Sequence, residues 1–80
     1  MMKMILRLPE VKKVTGLGRS TIYSNVAQGT FPKPIALGPR AVGWPECEVD
    51  TIVSARIAGQ PDEEIRRLVA QLEAARKKSV

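Results

Sequence analysis

The sequence has no histidine, a single cysteine, and one residue each of Trp, Tyr and Phe. Without histidine there is no imidazole to act as a general base or metal ligand near neutral pH. One cysteine cannot close an internal disulfide, and it leaves no His/Cys set for zinc. No apolar run approaches the ~20 residues of a membrane span, and the apolar part of residues 1–7 is too short for a signal peptide. The expected protein is therefore a cytoplasmic non-enzyme with no cofactor, metal or membrane role, in a compartment that keeps Cys47 reduced.

Acid is scarce in one half only. Residues 1–45 carry Lys3, Arg7, Lys12, Lys13, Arg19, Lys33 and Arg40 against Glu10 alone, a net +6, whereas residues 46–80 net −1. A field of one sign confined to half of a small domain attracts a polyanion, with nucleic acid the first candidate. The alternative is a set of lysines that simply keeps the chain in solution.

What is present is a series of short segments separated by breakers. Pro9 suits the first turn of a helix ending near Thr15, with Glu10 favourable at its positive end. Val11 and Val14 share a face with Leu8. A second helix is expected over 19–28, between Gly18 and Gly29. Ile22 and Val26 form its inner side; Arg19, Ser20, Tyr23, Ser24 and Ala27 occupy an outer arc of roughly 140° that contains no carboxylate. Phe31-Pro32-Lys33-Pro34 must be extended, because each proline excludes helical geometry before it. The runs 35–37 and 41–44 are expected to pair as an antiparallel hairpin with Gly38-Pro39-Arg40 as its turn, anchored by Phe31 and Trp44.

A third helix begins at Pro45, with Glu46, Glu48 and Asp50 in its first turns and Val49, Ile52, Val53 and Ile57 as a buried stripe. After Gly59-Gln60-Pro61, a fourth helix runs from its acids at 62–64 to Arg76-Lys77-Lys78. Its apolar seam of Ile65, Leu68, Leu72 and Ala75, with Val69 beside it, fits either its own domain or a second chain. The fold class is thus mainly α: a winged helix-turn-helix with a two-stranded wing over 1–58, then an amphipathic helix over 61–78 that is a candidate for oligomerisation.

Four ordered motifs resemble the AlpA family: Arg7-Leu8-Pro9-Glu10-Val11, Thr15-Gly16-Leu17-x-Arg19-Ser20-Thr21-Ile22-Tyr23, Gly29-x-Phe31-Pro32-Lys33-Pro34 and Arg40-Ala41-Val42-Gly43-Trp44. The resemblance spans residues 5–57 and leaves the fourth helix outside. It implies a small phage- or prophage-associated DNA-binding regulator related to excisionases, with 19–28 as recognition helix and 35–44 as wing. Gly18 stands where that family usually has a serine cap, Ser24 where a basic residue is common, and Asn25 where an aliphatic is usual.

The candidate DNA-binding residues are Arg19, Ser20, Thr21, Tyr23, Ser24, Lys33 and Arg40. Arg19 is suited to a guanine edge or a phosphate near the helix start. Ser20, Thr21 and Ser24 can bond phosphates or bases. Tyr23 combines a phosphate-facing hydroxyl with a ring against the wing, and Lys33 and Arg40 supply wing cations. Trp44 reads as core. The expected partners are double-stranded DNA, further copies of the chain as a homodimer or higher assembly, and an integrase or RNA polymerase at the bacterial nucleoid. The competing functions are an excisionase that bends DNA beside an integrase, and a basic adaptor for an acidic protein.

Overall fold

The expected punctuation produces two short helices at nearly the expected bounds. In a computed structural model describing residues 4–77, α1 covers Leu8–Thr15 and α2 covers Arg19–Gln28. The α1 start is fixed by Glu10, whose Oε1 accepts the Arg7 backbone N–H at 2.8 Å. Its end is tied by the Thr15 hydroxyl, which donates to the Val11 carbonyl at 2.7 Å and accepts the Leu17 N–H at 3.2 Å. Gly29 ends α2 in the left-handed region at φ 81°, a conformation that costs residues with a Cβ. The chain then dives inward: Thr30, Phe31 and Pro32 are buried before it re-emerges at Lys33.

Strands β2 (Ile35–Gly38) and β3 (Ala41–Pro45) form the hairpin, with Pro39 and Arg40 at its tip. The sheet has three strands rather than two. A two-residue strand β1 (Ile5–Leu6) precedes α1 and pairs antiparallel with the other edge of β3, giving the order β1-β3-β2. Helix α3 covers Glu46–Ile57 and α4 covers Asp62–Ala75. Leu6, Val11, Ile22, Phe31, Trp44, Val49, Ile52, Ala55, Ile65 and Val69 make one core, so every helix contributes to it.

Several expectations are corrected. Ile57, placed in the buried stripe of α3, is 82% exposed, and Val14 is 49% exposed. Both lie at helix ends, where the helical period continues but no neighbouring element covers it. In α4, Ile65 and Val69 are buried, Leu68 and Leu72 are half-buried, and Ala75 is exposed. The seam is thus used largely within the chain. Lys78, expected at the end of α4, lies outside the described residues, as does Lys3.

Gly43 has a steric cause. A Cβ there would lie 2.5 Å from Ile5 Cγ2 and 2.9 Å from the Leu6 carbonyl oxygen, so a side chain on the central strand would push β1 away. Gly43→Ala is expected to cost about 1–3 kcal/mol through this overpacking, read as a lower urea midpoint.

Candidate nucleic-acid interface

Helix α2 contains four hydroxyl residues, one arginine and no acid. At ~100° per residue, Ser20 and Ser24 lie opposite the buried Ile22, Tyr23 and Ala27 flank them on one side, and Thr21 and Gln28 on the other. Arg19, Ser20, Thr21 and Ser24 are exposed, and Tyr23 is half-buried. The outer surface is a convex polar ridge. A concavity of about 630 Å³ lies off the ridge, lined among others by Val14, Leu17, Phe31, Val53 and Ile57, and it meets α2 at Asn25 and Gln28.

The ridge is joined to the hairpin through aromatic rings. The Arg19 guanidinium carbon sits 5.9 Å from the Tyr23 ring centroid, within cation–π range. Tyr23 meets Trp44 of β3 edge-on, with centroids 6.1 Å apart and planes at 60°; Phe31 lies at the same separation from Trp44. Trp44 Nε1 donates to the Pro32 carbonyl at 2.8 Å, satisfying both the buried indole N–H and a carbonyl of the buried linker. Arg19, α2, the central strand and the linker therefore form one packed chain of contacts.

The other candidates are placed separately. Lys33 is exposed on the linker, but its backbone is bonded to α4: its N–H donates to Glu73 Oε2 at 2.9 Å and its carbonyl accepts from Arg76 Nη2 at 2.8 Å. Arg40 is exposed at the hairpin tip, with no hydrogen bond or ion pair among the described residues. Ser24 accepts a 3.2 Å hydrogen bond from Gln28 Nε2. Gln28, which shares the ridge with Ser24, is not among the candidates from sequence, although its spacing of four from Ser24 is a usable signal.

The ion pairs Arg56–Asp62, Arg67–Glu64 and Arg76–Glu48 all lie in the second half. The described cations of the first half form none, so their field is not cancelled by paired acids. Among the described residues, no helix is long and apolar enough to cross a membrane, and no His/Cys/Asp/Glu group could hold a metal ion.

A short helix pair joined by a glycine turn, its second helix presenting a polar ridge, together with an antiparallel hairpin packed against it, defines a winged helix-turn-helix protein. The chain belongs to the AlpA family: the family model described as "Prophage CP4-57 regulatory protein (AlpA)" matches residues 4–57. It is 46% identical over 55 residues, 69% of this chain, to the "Uncharacterized protein ORF88" of Enterobacteria phage P4, and this match spans 62% of that relative, under two thirds of its length. It is 47% identical over 58 residues to the "DNA-binding transcriptional activator AlpA" of Escherichia coli strain K12, covering 65% of this chain and 83% of that relative. Helix α4 lies beyond the family match.

Proposed function

We propose that this chain is a DNA-binding transcription regulator of a prophage or other integrated element, acting without a cofactor on duplex DNA in the bacterial cytoplasm. The observation that carries this reading is the exposed, acid-free ridge of α2 with Arg19 set against Tyr23. The Escherichia coli relative, named as a transcriptional activator, favours activation over excision as the output. In this reading Arg19 reads a base or clamps a phosphate, Ser20, Thr21, Ser24 and the Tyr23 hydroxyl bond the backbone or base edges, and Lys33 and Arg40 hold the wing on flanking phosphates. One small module is weak alone, so binding as a homodimer or higher assembly on repeated sites belongs to the proposal. So does contact with RNA polymerase, or with an integrase if the output is excision.

The test is fluorescence anisotropy with a labelled duplex from the region flanking its own coding sequence. Six to eight phosphate contacts predict a slope of log K against log salt of about −5 to −7. Arg19→Ala is expected to weaken binding by about 1–3 kcal/mol and relax sequence preference if it reads a guanine. Arg40→Ala is expected to weaken binding to all sequences evenly and to lower the slope by about 1. A flat salt response with both variants unchanged leaves the adaptor reading in its place.

A further inference from the structure

Helix α4 and its C-cap Arg76 carry no residue of the proposed DNA ridge, yet their polar side chains grip both ends of the segment that links α2 to the hairpin. Arg66 Nε donates to the Gln28 carbonyl at 3.0 Å, satisfying an acceptor at the end of α2, and the Arg66 stem packs over Gly29. About two to three turns further on, Glu73 and Arg76 hold both backbone polar groups of Lys33, just before the hairpin. Arg76 is itself fixed to Glu48 of α3 by two hydrogen bonds, Nε to Oε2 at 2.9 Å and Nη2 to Oε1 at 2.5 Å. Between these grips run only Gly29, Thr30, Phe31 and Pro32, the covalent link that, beside the Tyr23–Trp44 contact, sets the wing relative to the recognition helix.

We infer that Arg66, Glu73 and Arg76 are positioning residues for DNA binding: α4 is a brace that fixes recognition helix and wing as one rigid body. This deepens the DNA-binding reading and rests on it. A rigid spacing matters because a duplex must meet both elements at once. If the wing reorients freely, only the fraction of molecules with the right spacing binds, and apparent affinity falls by that fraction.

Glu73 gives the discriminating test, because charge and position predict opposite signs. A surface acid near a polyanion weakens binding, so removing one should tighten it. If Glu73 positions Lys33, Glu73→Ala in the full chain weakens duplex binding by about three- to tenfold, the scale of one lost hydrogen bond. The salt slope stays unchanged, since no phosphate contact is lost. Glu73→Gln, whose amide oxygen can still accept the Lys33 N–H, restores most of the affinity. Binding by Glu73→Ala that equals or exceeds that of the parent overturns the inference. If the parent itself has no affinity for duplex DNA, the functional reading fails, and NMR residual dipolar couplings on the DNA-free protein decide the brace by themselves. Loss of common alignment between α2 and the hairpin in Glu73→Ala supports it; retained alignment overturns it.

Discussion

Trp44→Ala is expected to destabilise the domain by about 3–5 kcal/mol, the cost of emptying a fully packed aromatic site. For a chain of 80 residues with a total stability of roughly 4–12 kcal/mol, that loss leaves a large unfolded population. Trp44 is fully buried, contacts both Tyr23 and Phe31, and donates to the Pro32 carbonyl. The indole therefore serves packing and polar satisfaction together. Trp44→Phe separates them: it keeps an aromatic body but strands the Pro32 carbonyl, for an expected loss of about 1–3 kcal/mol. Urea unfolding followed by far-UV circular dichroism measures both. A loss below about 1 kcal/mol for the alanine variant would contradict the central place given to this ring.

Arg76→Ala is the second large effect, with an expected loss of about 2–4 kcal/mol. The Glu48 side chain is 6% exposed and that of Arg76 25%, so removing the arginine leaves a carboxylate buried without its partner. The partial exposure of Arg76 puts the figure below that of a wholly buried pair. Adding Glu48→Met to Arg76→Ala should recover most of the loss, since an apolar residue of similar length removes the stranded charge. If the double variant is no more stable than the single one, the cost lies elsewhere. Hydrogen bonding to Glu48 raises the Arg76 pKa above the ordinary arginine value, burial partly opposing it. A raised pKa means the stabilisation is present at all pH values below the unfolded value and disappears only as pH climbs through the folded one. Arginine's ordinary range is already strongly alkaline, so Arg76 adds no pH dependence across the working range.

The helix-turn-helix was legible because its signals are local. Gly16, Gly18 and Gly29 punctuate, Pro9 and Glu10 start α1, and the inner and outer sides of α2 follow from a period of ~3.6 residues. The ridge was legible for the same reason, as absence of acid from a helix can be seen without knowing what the helix touches. What stayed hidden depends on residues far apart. Strand β1 has two residues, and its reason to exist is an edge of β3 much later in the chain. Glu48 reads from its neighbours as one more acid favouring a helix start; its partner Arg76 is 28 residues away. Helical period alone also put Ile57 in a stripe that the packing does not extend to cover.

The grip on Lys33 has a consequence in time. Everything proposed to face the duplex lies in residues 19–40, while Glu73 and Arg76 leave the ribosome well after them. The nascent chain thus exposes its DNA-facing parts before the last turn of α4 can fasten them to each other. A product nicked at the exposed Gly59-Gln60-Pro61 bend, with α4 lost, would keep every residue proposed to face the duplex but lose Ile65 and Val69 from the core together with the grip on Lys33.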